Sequence, residues 1–140
     1  METVLDYLNC PYEACADLLI VDDIAIRTIN RDSRGIDDAT DVLSFPMNPF
    51  SAPGDFSPLA DDPDAFDPDT GELLLGDIVI SMDHVQRQAE EFGHSPLREF
   101  AFLIVHSALH LTGFDHMKEE DRIAMEDAQK NVMQILGISR

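Results

Sequence analysis

Three of the chain's five histidines fall in the eleven residues from His106 to His116, in the order H-S-A-L-H-L-T-G-F-D-H. Imidazole binds divalent metals through a neutral ring nitrogen, so three of them close together suggest a metal site. On a helix, positions i and i+4 share a face about 6 Å apart, which lets His106 and His110 grip one ion. A straight helix would carry later residues away from that ion. Gly113 permits positive φ, turns the chain back, and lets His116 approach from outside the helix. Three imidazoles favour Zn2+ or a neighbouring borderline metal, one ion per chain, and leave a fourth position for water or substrate. An open position points to catalysis rather than to a purely structural metal.

Two neighbouring features narrow the chemistry. The metalloprotease motif H-E-x-x-H places a glutamate after the first histidine as general base, whereas this chain has Ser107 there. The spacing is metzincin-like but the proteolytic base is missing, which puts a zinc metallopeptidase second. Arg27, Arg31 and Arg34 follow at i, i+4 and i+7 and form the only basic cluster. For Arg27 and Arg31 a solvated helix face balancing Asp22, Asp23 and Asp32 is the simpler reading. His84, His94, Asp115 and Glu99 are lesser candidates. Asp115 precedes a ligand, and Glu99 lies seven residues before His106 on its helical face.

The elements that must position these groups can be read along the chain. Residues 2–8 suit a short helix ended by Pro11. Asp17 to Val21 reads as a short buried strand, followed by a helix capped at Asp22 or Asp23 that runs to about Arg31, with Gly35 beyond its end. Thr40 to Phe45 is a second strand stopped by Pro46, and Leu73 to Ser81 a third, apolar enough for burial on both faces. Asp83 to Phe92 is helical and ends at Gly93. Ser95 as N-cap, Pro96 at the first position and Gly113 as the stop delimit a helix apolar almost all round, which must lie in the middle of the fold. A last amphipathic helix spans about Lys118 to Leu136, with Met125, Ala128, Val132 and Leu136 on one face. The expectation is an α/β (α+β) fold: a small mixed sheet packed with helices around the histidine-bearing one. A single domain over residues 1–140 is expected, interrupted at about 47–70 by a mobile, acidic, proline-rich surface loop.

Composition removes other classes of answer. The 140 residues are 44% hydrophobic and 26% charged, enough to bury a core. No apolar run reaches the ~18 residues of a membrane span, and METVLDYLNC lacks the basic region of a secretory signal. Cys10 and Cys15 form no CxxC pair and suit ordinary thiols in a reducing compartment, so a cytoplasmic location is expected. The net charge is −19, and residues 51–72 contain no Lys or Arg. An acidic surface repels nucleic acid, so contact with RNA needs a local basic group or a metal.

The segments NRDSRGIDDATDVLSFP (Asn30 to Pro46), LGDIVIS (Leu75 to Ser81), GHSPLREF (Gly93 to Phe100) and HSALHLTGFDH (His106 to His116) occur in this order. Together, from about Leu18 to Leu136, they closely resemble the YbeY family, the bacterial rRNA maturation factor and endoribonuclease. The resemblance implies a zinc-dependent endoribonuclease of the cytosol, specific for single strands. It would mature the 3′ end of small-subunit rRNA, act in ribosome quality control and associate with the ribosome. It also implies His106, His110 and His116 as the zinc ligands and Arg34 as a functional residue facing the metal cleft. Members usually carry a strand before the first helix, which this chain is read as beginning after. The 47–70 connection is longer and more acidic than usual, and Ser33 stands where an aromatic is common. A non-catalytic ribosome assembly factor with a structural metal is the remaining alternative.

Overall fold

The computed structural model describes residues 1–138; the last two residues of the expected 1–140 domain lie outside the described residues. Three strands form one mixed sheet, β1 (Ala14–Val21), β2 (Val42–Pro46) and β3 (Leu73–Ser81), in the order β1-β3-β2. β3 is central, parallel to β1 and antiparallel to β2. The helices are α1 (Glu2–Tyr7), α2 (Asp23–Arg34), α3 (Met82–Phe92), α4 (Pro96–Leu111) and α5 (Glu119–Ile135).

Local chemistry accounts for the helix ends. The Asp22 carboxylate accepts from the Ala25 N–H (2.8 Å), and Gly35 closes α2 in the left-handed conformation at φ 71°. Ser95 accepts from the Arg98 N–H (3.2 Å) ahead of Pro96, as its sequence position predicts. Here the sequence reading is off by small margins: α2 runs on to Arg34, and α4 ends at Leu111 rather than reaching Gly113.

The two faces of the sheet are covered differently. Ile26 of α2 packs with Leu43 and Val79 on one face. On the other, Leu73, Leu75, Ile78 and Ile80 pack with Leu103 and Leu111 of α4, Val85 of α3 and Leu5 of α1. α4 is thereby enclosed, and its far side packs Val105, Ala108 and Leu109 against Met125, Ala128 and Val132 of α5. The expected central helix is in place.

Two expectations need correction. The DLLIV segment is not buried: β1 lies at the sheet edge, and Leu18, Leu19 and Ile20 are 45–53% exposed. An apolar run resembles an interior strand until pairing order decides which strand is central, and here β3 takes that place. Nor is the 47–70 segment a surface loop throughout. It forms two 3₁₀ turns, Ser57–Asp61 and Pro63–Ala65, and buries Phe56, Leu59 and Ala65 in the main core. Isolated apolar residues without a period can still be anchors when prolines and Asx turns point them inward. The Asp55, Asp62 and Asp67 carboxylates accept from backbone N–H groups two or three residues on.

Candidate metal centre

α4 places His106 and His110 one turn apart on the side facing β2 and α5, both half-buried, and the chain then turns to bring in the exposed His116. One ring nitrogen from each of the three lies within 4.8 Å of the others. Ring centroids stand 4.8 Å (His106–His110), 5.0 Å (His110–His116) and 6.1 Å (His106–His116) apart. A tetrahedral ion with metal–nitrogen bonds of 2.0–2.1 Å needs nitrogens about 3.3 Å apart, so small side-chain rotations close the site. The three residues can hold a metal ion.

The turn depends on Gly113. Its φ is +98°, and a Cβ there would lie 2.6 Å from Cβ of Phe50, so both backbone conformation and space require glycine. Phe50 comes from the proline-rich segment, whose Gly54 N–H also donates to the Thr112 carbonyl (2.8 Å). That segment therefore buttresses the turn carrying the third histidine. Asp115 completes it: its Oδ1 accepts from the backbone N–H of His116 (2.7 Å) and of Met117 (3.3 Å). Asp115, a lesser candidate in the sequence, thus holds the backbone at His116.

Hydrogen bonds also fix how the rings present themselves. His106 Nδ1 lies 3.3 Å from Gln129 Oε1, and Gln129 Nε2 donates to the Phe102 carbonyl (3.2 Å), which orients the amide. His110 Nδ1 lies 3.1 Å from the Phe114 carbonyl. Acceptors at both Nδ1 positions favour the tautomer with its proton there, leaving the Nε2 lone pairs to coordinate an ion. Burial, then the neighbouring His106 and His116, lowers the His110 pKa to about 4, against smaller opposing effects of the Phe114 carbonyl and Asp115. The ring is neutral at pH 7, as a metal ligand must be.

The histidines open into a cleft of about 1180 Å³, also lined by Arg34, Asp41, Ser44, Asp115, Arg122 and Gln129. Arg34 reaches it from the last residue of α2. Arg27 and Arg31 do not: Arg27 pairs with Asp37 (2.9 Å) and Arg31 with Asp32 (3.2 Å), all solvent-exposed, in keeping with the plainer reading of them. Ser107, where a peptidase would carry its base, is fully buried with its hydroxyl bonded to that of Ser44.

The other candidate histidines lie in different surroundings. His94 Nε2 is 3.0 Å from Glu99 Oε2, in a pair whose side chains are 4% and 0% exposed. Gln88 Nε2 bridges Glu99 (3.4 Å) to Asp41 (3.3 Å) on the cleft wall. His84 Nδ1 lies 2.5 Å from Asp23 Oδ1, which also accepts from Ser81 Oγ (2.6 Å), while Asp23 Oδ2 accepts from Arg87 (2.7 Å).

A family model described as endoribonuclease YbeY matches residues 1–137. The chain belongs to the endoribonuclease YbeY family. It is 53% identical over 137 residues to the endoribonuclease YbeY of Agathobacter rectalis, covering 97% of this chain and 83% of that one. It is 49% identical over 141 residues to that of Lachnoclostridium phytofermentans (100% and 86%), and 41% identical over 145 residues to that of Clostridium acetobutylicum (98% and 86%). Among solved structures, the solution structure of a Thermotoga maritima protein is similar with a TM-score of 0.59 at 24% identity, covering 97% of this chain and 78% of that one. That likeness concerns the fold.

Sequence reasoning missed three contributors to this YbeY site: Gln129, Phe50 and Arg122. Only Gln129 had left a signal, as a polar residue inside the apolar stripe of α5 between Ala128 and Val132.

Proposed function

We propose that this chain is a single-strand-specific, zinc-dependent endoribonuclease acting in the cytoplasm. Its substrate is rRNA at the 3′ end of the small subunit, and its roles are maturation and ribosome quality control in association with the ribosome. The observation that carries this reading is the convergence of His106, His110 and His116 beside Arg34 in one open cleft. The relatives' shared name, endoribonuclease YbeY, supports it. The three histidines would hold the ion, which when bound supplies Lewis-acid stabilisation of charge on a phosphoryl group.

The remaining work falls to the chain's own residues. Gln129 holds the His106 imidazole and the Phe114 carbonyl that of His110, which limits the side-chain ordering left for the reacting state. Arg34 brings a permanently charged fork suited to two oxygens of a phosphodiester. In a chain of net charge −19, a guanidinium beside the metal site offsets the repulsion that RNA would otherwise meet. With Ser107 buried against Ser44, no observation favours the peptidase reading.

The test is cleavage of an unstructured RNA by purified protein of known metal content. Zinc is expected at one ion per chain, a chelator should stop cleavage, and zinc add-back should restore it. Arg34→Gln should lower kcat by about 10²-fold with metal content unchanged. Full-rate cleavage by metal-free protein would overturn the proposal.

A further inference from the structure

Beyond the metal and Arg34, the cleft has a second cation and a continuation. Arg122, in the second turn of α5, is its only other Lys or Arg among the described residues. A smaller groove of about 350 Å³ runs along the same helix and shares Phe102, Glu126 and Gln129 with the cleft. Met133 and Ile138 make it largely apolar, and Lys130 stands on its rim. Arg122, Glu126 and Lys130 are spaced i, i+4 and i+8, so they form one stripe about 12 Å long.

Resting on the endoribonuclease reading above, we infer that this face of α5 is a track for the RNA strand as it passes from the metal cleft. Arg122 and Lys130 contact phosphates, and the apolar groove takes an unstacked base beside Phe102. The chemistry of the stripe suits a single strand: cations spaced along an apolar surface hold the backbone while an aromatic ring accepts a base of any sequence. Arg122 is engaged by Glu126 (3.0 Å) and more distantly by Glu119 (4.0 Å), with side chains 46%, 62% and 81% exposed. Exposed pairs of this kind bind weakly, so a phosphate can take the guanidinium from Glu126. Lys130 has no ion-pair partner among the described residues. Glu119, Glu120 and Asp121 at the start of the helix repel a backbone and confine it to the stripe.

The experiment measures binding, so that it does not depend on turnover. Zinc-loaded protein is titrated into a short fluorescent single-stranded RNA with 2′-O-methyl groups throughout, at several salt concentrations. Each phosphate contact contributes about 0.7 to the slope of log K against log salt for single strands. Arg122→Gln with Lys130→Gln should reduce the slope by about 1.4 and weaken binding at least tenfold. Arg122→Lys should preserve the slope, and Glu126→Gln should tighten binding several-fold. Arg98→Gln, which removes a charge outside both cavities, should leave the slope unchanged. If wild type binds and cleaves RNA but the double variant matches Arg98→Gln, the track is refuted while the nuclease reading stands. If wild type neither binds nor cleaves RNA, both fall together.

Discussion

The five histidines divide into two chemistries. His106, His110 and His116 face one another across a cleft, with amide or carbonyl oxygens behind the first two. His84 and His94 each face a carboxylate, Asp23 and Glu99, at 2.5 and 3.0 Å. A carboxylate facing an imidazole hydrogen-bonds to it and ties two elements together, whereas imidazoles grouped around one point can offer ring nitrogens to a shared ion. The His94–Glu99 pair joins the α3–α4 connection to the first turn of α4, and the His84–Asp23 pair joins α2 to α3. Identical side chains thus tie elements together in one setting and can hold a metal ion in the other, and the partner decides which.

The contrast is most directly broken at His110. His110→Ala should lower metal affinity and RNA cleavage at least ~100-fold and leave a folded protein, whereas His94→Ala should retain its metal. Metal analysis beside circular dichroism checks this, and equal metal loss in both variants would erase the distinction. Next in size is Glu99→Ala, which strands His94 in a buried site and should cost about 3 kcal/mol in urea unfolding. A loss below about 1 kcal/mol would show that the pair is not a structural tie.

The pH response of the metal-free protein sharpens the division further. His110 has a folded pKa of about 4 against an ordinary 6.5, so the unfolded chain binds more protons between those values. Its contribution to stability is full above pH 6.5 and declines as pH falls towards 4. Asp23 behaves differently. Burial alone would raise its pKa, but hydrogen bonds from Ser81, Arg87 and His84 hold it at about 2 against an ordinary 3.8. Its contribution is present above pH 3.8 and is lost only as pH falls through 2. Urea midpoints of metal-free protein between pH 7 and 4 should therefore fall, and His110→Gln should flatten that decline. The same slope in both proteins would assign the effect elsewhere. The smallest expected change is His84→Ala: loss of one partly exposed hydrogen bond, about 1 kcal/mol by the same unfolding assay, with cleavage intact.

Much of this was legible in the chain itself. The Ser95-Pro96 start of α4, the i, i+4 histidines and the positive φ of Gly113 are local consequences of residue type, and the structure bears each out. The 47–70 segment shows where such reading stops. Its acids and prolines foretold irregular backbone, but nothing nearby in sequence could say that Phe50 would brace Gly113 or that Phe56 and Leu59 would enter the core. Likewise DLLIV carried the composition of an interior strand, and its edge position followed only from β3 pairing on both sides.

By itself, then, the sequence determined the helix carrying two imidazoles, the bend delivering a third, and the caps that start and stop the helices. These depend on φ, ψ and hydrogen bonds within a few residues. Tertiary structure alone decided which oxygens stand behind His106 and His110, that Arg34 and Arg122 share one cleft, and that His94 finds Glu99. Apart from the Phe114 carbonyl and Glu99, which lie close in sequence to their histidines, those neighbours are distant along the chain. Only the packing of α4 among the sheet, α3 and α5 brings these groups to their places.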